Sequence, residues 1–361
     1  MDNEKSSSRD HDGGRKPAEE ITSLEAVFDL KEDPARPFNS AEHDEILAGY
    51  TTDIYFVKSL EMLRHLGLED TRVTVEIFAN RPGLFCGIDE VVRLLEGRVE
   101  EAWALNQGDE FSPKEVVLRV KGSYGDFGIT ETPLLGVLAS ASGWATRARE
   151  VKEAAGDKLA VCFGARHVHP SVAPVMEMAA LVGGMDGCSC ILAARLAGVM
   201  PTGTVPHAAI LIAGDTVKIA HAYDAVMPEG DSRTILVDTF KDEAEESLRV
   251  ADALGGRLDA VRLDTPSERG RVTPELVREV RARLDLAGYG EVKIFASGGL
   301  DPERIRELSE AGADGFGVGS YISSAPAIDM TMDIKEIGDR AIAKRGRIPG
   351  ISETTRLRRV L

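Results

Sequence analysis

Arginine, aspartate, histidine and glycine recur at the ends of short apolar runs, and their spacing limits the chemistry they can do. The segments IFASGGLD and GFGVGS place Ser297, Gly298 and Gly299, then Gly317, Gly319 and Ser320, where two successive runs end. Glycines let backbone N–H groups approach an anion, and a helix start just beyond adds a favourable dipole. One such turn needs no ligand to explain it, whereas two at consecutive runs point to a phosphate. VRLDTP puts Arg262 and Asp264 two residues apart, hence on the same side of a strand. The acid suits ribose hydroxyls or Mg²⁺ and the guanidinium suits phosphate, with a structural Arg–Asp pair as the alternative. Asp238, in VDTF one unit earlier, offers a second hydroxyl or metal partner.

FGARHVHP carries Phe163, Arg166, His167 and His169. Arg166 can fork onto a carboxylate. The two histidines resemble a metal pair, but no Cys or acid at suitable spacing accompanies them, so no protein-held metal is expected. Cys188 and Cys190 flank Ser189 as C-x-C, which reads as small buried residues at a strand end. PTGTVPHA places Thr204 and His207 in a Gly/Pro turn, and TTDIYF offers Asp53 and Tyr55 far upstream.

The elements that must position these residues show as a βα alternation from about 159 to 320. Seven strand-like runs are expected: LAVCFGA, MDGCSCI, GVMPTGTV, RTILVDT, DAVRLDT, VKIFASG and ADGFGVGS. Helical patterns separate them, as in DPERIRELSEAG, where Asp301 is the expected cap, Pro302 the first helical residue and Gly312 the stop. Strands this apolar on both faces argue for a parallel sheet. Nearly every run ends in a polar residue or glycine. In a barrel those ends converge on one mouth, whereas a doubly wound sheet would spread them along an edge, so the expectation is an α/β fold with an irregular seven-stranded (β/α) barrel. Ahead of it, short β-rich runs around IDEVVRLLEG, then ETPLLGVLASASGWATRARE, read as a smaller α+β domain. The expected divisions are a disordered lead-in over 1–40, the α+β domain over 41–150, the barrel over 151–330 and a C-terminal extension over 331–361.

The 361 residues carry 43 Lys and Arg against 60 Asp and Glu, a net charge of −17. That balance repels nucleic acid and anionic membranes at long range, so an anionic substrate must be held by local groups. No run approaches the roughly 18 apolar residues of a membrane helix. The first residues lack an apolar signal core, and four cysteines are too few for a disulfide scaffold. These features predict a cytosolic globular protein.

Taken together, the motifs resemble the nicotinate phosphoribosyltransferase family, within the type II phosphoribosyltransferases that also include nicotinamide and quinolinate enzymes. TTDIYF is similar to the family's T-D-x-Y, FGAR to F-G-x-R, GCSC to G-T-S-N, PTGTVPH to G-T-x-x-H and RLDTP to R-x-D-S-G, in the family's order from about 45 to 350. The resemblance implies a pyridine ring between Phe163 and Tyr55, the latter from a second subunit of a homodimer with shared sites. Arg166 would take the nicotinate carboxylate, Asp264 the ribose and the glycine turns its 5′-phosphate, while His207 matches a histidine phosphorylated by ATP. It also implies nicotinate, phosphoribosyl pyrophosphate and ATP as substrates, with Mg²⁺ on the pyrophosphate. His167 stands where many relatives have a second Arg, and Cys188 and Cys190 replace Thr and Asn. Quinolinate, with two carboxylates, should need more cations than Arg166. Nicotinamide would want an acid, for which Asp186 is the nearest in sequence. A barrel lyase or isomerase would need a Lys or Glu base at a strand end, and a non-catalytic phosphoribosyl-binding regulator would bind without turnover.

Overall fold

The computed structural model describes residues 18–31 and 36–361. The barrel region holds six parallel strands rather than the expected seven. In spatial order they are Gly187–Cys188, Leu159–Cys162, Gly315–Val318, Lys293–Ala296, Ala260–Leu263 and Thr234–Leu236. GVMPTGTV, expected to fill the place between the two outer strands, forms no strand, and its one ladder-like bond runs from Thr202 N to the Cys188 carbonyl. Pro201 and Pro206 have no N–H to give, and Gly198 turns left-handed at φ +72°, so pairing stops there. The sheet therefore curls into a barrel left open on that side.

Helices pack around the outside, and Ala173–Val182 and Pro302–Ala311 lie against the long helix Glu131–Ala155. The expected cap is present: Asp301 accepts from Arg304 N, Pro302 opens the helix and Gly312 ends it at φ +109°. A repeated device fixes the strand starts. Asp186, Asp259 and Asp314 accept the N–H groups of Ala160, Arg233 and Ile294 on neighbouring strands. Side chains such as Phe316, Ile294 and Val261 are fully buried in the barrel core, each contributing about 1.5–3 kcal/mol.

The smaller domain is a six-stranded antiparallel sheet. Arg72–Ala79 pairs on one side with Val116–Ser123 and on the other with Met330–Ile337, so residues 331–361 are not a separate extension but complete this sheet. One face packs Val75, Ile77, Leu118 and Val120 against Ile88–Leu95 and the first turns of Glu131–Ala155. On the other face, Glu76 accepts from Arg119 and Ser352, while Asp333 accepts from Lys344 and Arg347, tying the last segment down. The helix Glu131–Ala155 runs from this core, at Leu134 and Leu138, into the barrel core at Ala148 and Val151. Upstream lie two helices, His43–Leu47 and Ile54–His65, separated by a turn in which Gly49 is left-handed at φ +90°.

The disordered lead-in expected over 1–40 falls partly on residues 1–17 and 32–35, outside the described residues. Elsewhere it is corrected: Leu24–Asp29 is a helix capped by Ser23, and Ile21 is buried with Val57 and Ile129. One apolar anchor holds a segment whose composition alone reads as unfolded.

Candidate active site

The C-terminal ends of the six strands meet at one mouth, where Thr204, Arg262, Asp264 and Ser297 form one hydrogen-bonded network. Arg262 reaches across three neighbours: Nη1 donates to Thr204 Oγ1 at 2.8 Å, Nε to Ser297 Oγ at 2.9 Å and Nη2 to Asp264 Oδ2 at 3.0 Å. Ser297 Oγ in turn donates to Asp264 Oδ1 at 2.8 Å. The structural Arg–Asp pair is thus real, and it fixes the orientation of Asp264.

His207 opens the helix His207–Ala213 directly after Pro206. Its Nδ1 lies 3.1 Å from Thr239 Oγ1, and Nε2 lies 3.5 Å from Asp238 Oδ2 and 3.7 Å from Asp264 Oδ2. The last two are ion-pair separations rather than hydrogen bonds. Asp238 is buried and neither of its oxygens has a hydrogen-bond partner among the described residues. Burial pushes its carboxyl up to about 6, the neighbouring His207 pulls the other way and Asp264 adds repulsion. A buried carboxylate without donors, beside a second acid, fits ribose hydroxyls or a divalent cation.

The two pairs of glycines do different work. Gly298 and Gly299 are left-handed, at φ +92° and +66°, and shape a true turn. Gly317 lies in a strand, where a Cβ would stand 2.4 Å from the Phe163 ring. At Gly319 a Cβ would stand 2.9 Å from the Phe163 carbonyl and 2.8 Å from the His167 ring. Gly317 and Gly319 therefore make room for the Phe163 turn, next to Ser320. Phe163 also has the Arg262 guanidinium 5.4 Å from its ring centre.

Arg166, in the turn Ala165–His167, is exposed and makes no hydrogen bond or ion pair with the described residues. The buried Glu177 holds this turn. It accepts from Ala165 N at 3.1 Å, Ser189 Oγ at 3.0 Å and Cys190 N at 2.6 Å, lacing the loops after two strands together. Ser189 thus points to Glu177. Sequence reading missed Glu177, although a single acid in APVMEMAALV was a visible signal. Glu243, also buried, plays a similar part by accepting from Thr265 Oγ1 at 2.7 Å.

Tyr55 and Asp53 are not brought to this mouth within one chain. Asp53 bonds with Thr132 in the smaller domain, and Tyr55 is 53% exposed on Ile54–His65. Asp186 lies at the opposite end of the strands, accepting from Lys152 Nζ at 2.8 Å as well as Ala160 N. It cannot serve a base bound at the mouth.

Two family models match in tandem: the quinolinate phosphoribosyl transferase N-terminal domain over 53–142 and its C-terminal domain over 144–333. Among curated relatives, the nicotinate phosphoribosyltransferase pncB2 of Mycobacterium tuberculosis H37Rv is 34% identical over 254 residues, 67% of this chain and 53% of that one. The nicotinate phosphoribosyltransferase of Bacillus subtilis is 24% identical, over 76% of this chain and 63% of its own. The chain thus spans between half and two thirds of the length of these relatives. A crystal structure of nicotinate-nucleotide pyrophosphorylase from Pyrococcus furiosus superposes with a TM-score of 0.84 at 44% identity, covering 88% of this chain and 82% of that one. Human nicotinic acid phosphoribosyltransferase shares the fold at TM-score 0.64 and 19% identity, over 83% and 77% of the two chains. The mouth and the matches agree, and the chain belongs to the nicotinate and quinolinate phosphoribosyltransferase family, the type II phosphoribosyltransferases.

Proposed function

We propose that this chain transfers a phosphoribosyl group from phosphoribosyl pyrophosphate to nicotinate in NAD biosynthesis, giving nicotinate mononucleotide and pyrophosphate, with ATP hydrolysis coupled to the transfer. The observation that carries the choice of base is Arg166: one guanidinium with no hydrogen-bond or ion-pair partner among the described residues, on the turn that follows the Phe163 ring. An aromatic face with one cation suits a pyridine with one carboxylate. Asp186, committed at the far end of the strands, leaves nicotinamide without the acid expected for it.

The transfer needs little acid–base chemistry, because C1 leaves the pyrophosphate through an oxocarbenium-like state. Positioning and charge stabilisation supply most of the effect. Asp264, held by Arg262 and Ser297, is oriented toward the ribose, and Gly298 and Gly299 toward its 5′-phosphate. Asp238 and Asp264 are the residues that fit Mg²⁺, which when bound neutralises the leaving group. His207 carries the ATP coupling. With Nδ1–H donating to Thr239, the Nε2 lone pair attacks the γ-phosphorus, the bond to the β-phosphate oxygen breaks and ADP leaves; water later returns the phosphoryl group as phosphate.

Tyr55 is assigned to the site of a second copy. It sits among the exposed apolar residues Ile54 and Met62 of its helix and Leu66 just after it, and the barrel exposes another apolar set at Ile191, Leu192, Leu196, Leu211 and Ile212. Two such faces on one chain, each meeting the other on the partner, fit a two-fold homodimer.

Quinolinate is the second reading, favoured by the description of the matching family models and by the Pyrococcus furiosus structure. Pyrophosphate release with nicotinate, nicotinamide and quinolinate, each with and without ATP, separates the three. Turnover with quinolinate alone, accompanied by CO₂, overturns the nicotinate reading.

A further inference from the structure

The turn at Gly298 and Gly299 is covered by a side chain that the motifs did not single out. Among the described residues the N–H groups of both glycines meet no acceptor. Arg271 closes over them: Nη1 donates to the Gly299 carbonyl at 3.2 Å, and it stands 2.5 Å from where a Cβ on residue 299 would lie. The left-handed φ of +66° favours glycine there, and the end of the guanidinium occupies the space a Cβ would take. That bond uses one of five N–H groups, the side chain is exposed, and no carboxylate pairs with it among the described residues. Arg262, by contrast, has three nitrogens engaged by protein.

The backbone at Arg271 is itself unusual. Its φ is +65°, a conformation that disfavours residues with a Cβ and persists where surrounding contacts over-determine it. Those contacts are present. The Pro266 carbonyl accepts from both Arg269 N and Arg271 N, Gly270 turns at φ +91°, and Glu243 anchors Thr265 and Arg269. The loop 265–271 is thus clamped at its base and delivers one guanidinium onto a glycine turn with free N–H groups.

We propose that Arg271 is the side-chain ligand of the phosphomonoester held by Gly298 and Gly299. This rests on the phosphoribosyl reading above and adds a residue to it. A chain of net charge −17 repels a phosphate dianion at long range, and a glycine turn alone offers only dipoles. A guanidinium beside the turn supplies the missing charge and two parallel N–H donors.

The test is titration of ribose 5-phosphate and of phosphoribosyl pyrophosphate with Mg²⁺ into the full chain and its R271A, R271G and R271K variants, with nicotinate as control. R271A and R271G are expected to bind ribose 5-phosphate about tenfold or more weakly, the size of one charge-assisted contact. R271K should fall between them and the unaltered chain, and nicotinate affinity should stay within about twofold. R271G relaxes the left-handed backbone, so it should melt no lower than R271A, which separates lost charge from damaged structure. Unchanged ribose 5-phosphate affinity in R271A overturns the role of Arg271 and leaves the phosphoribosyl reading standing. Wild-type affinity in R271G alone would assign the effect to the backbone and also overturn it. An unaltered chain that binds neither sugar phosphate removes the reading and the proposal together.

Discussion

The Nε2 atom of His207 stands 3.5 Å from Oδ2 of Asp238, a buried carboxylate with no hydrogen-bond donor among the described residues. Such a group costs stability when ionised and is retained where a ligand completes it. Two consequences can be measured separately, one on the acid and one on the imidazole.

The folded chain raises the Asp238 carboxyl to about 6, chiefly by burial. Between about pH 4 and pH 6 the folded state holds a proton that the unfolded state has released, so stability falls as pH rises through that window. Above it the full cost is present, of order 2–3 kcal/mol. Asp238→Asn keeps the shape without the charge. It should melt higher than the parent at neutral pH, lose the slope between about pH 4 and 6, and lose phosphoribosyl transfer. A lower melting temperature would show that ionised Asp238 supports the fold.

His207→Asn tests the coupling. The variant should lose ATP hydrolysis and ATP stimulation yet keep a slow ATP-independent transfer, because Asp264 and the glycine turn are untouched. Incubation with γ-labelled ATP should leave acid-labile label on the parent and none on the variant. Label that survives the substitution identifies another acceptor; ATP stimulation that persists makes His207 a plain hydrogen-bond donor to pyrophosphate.

Arg166→Ala should weaken nicotinate binding by about tenfold to a hundredfold, the range for loss of charge-assisted bonds to a carboxylate, with phosphoribosyl pyrophosphate affinity little changed. Equal nicotinate titration curves for parent and variant would sink the assignment.

Much of this mouth was legible because its residues sit at strand ends, where sequence order and spatial order agree. Asp238, Asp264, Ser297 and His207 come together as the βα alternation implies. The absence of a seventh strand was not legible, since GVMPTGTV is apolar enough for one, and its prolines with the left-handed Gly198 deny it a ladder. The spacing of GFGVGS points to a phosphate turn but does not show that Gly317 and Gly319 also make room for Phe163 and His167, a contact between distant segments. The same limit hid the return of 330–337 to the first sheet: a strand's own pattern does not name its partner.

Glu177 gives a prediction of a different kind, because it touches no reacting atom. Its carboxylate accepts three donors, and in Glu177→Gln one amide N–H₂ must face an N–H or O–H it cannot accept from. The expected cost is about 1–3 kcal/mol of stability. Looser tethering of Ala165 should raise KM for nicotinate more than KM for phosphoribosyl pyrophosphate. Equal effects on both would make Glu177 a core residue with no hold on the Arg166 turn.

The shared site is the remaining expectation, and complementation decides it. Tyr55 is exposed on Ile54–His65, and within its own chain it makes no hydrogen bond or ring contact with the mouth. Tyr55→Ala should fold normally, since an exposed ring carries little of the core, and should still be nearly inactive if the ring stacks on a base in a neighbour's pocket. Asp264→Ala should be inactive through the ribose site of its own barrel. Mixed subunits distribute the defects: in a hybrid dimer one site holds both lesions, and the other pairs an intact Tyr55 with an intact Asp264. Random mixing of equal amounts yields about half hybrids, each with one working site, so activity should recover to roughly a quarter of the parent's. Recovery requires that the two residues act across the interface. Hybrids verified by mass that stay inactive would show that each mouth is built from a single chain, with Tyr55 serving some other surface.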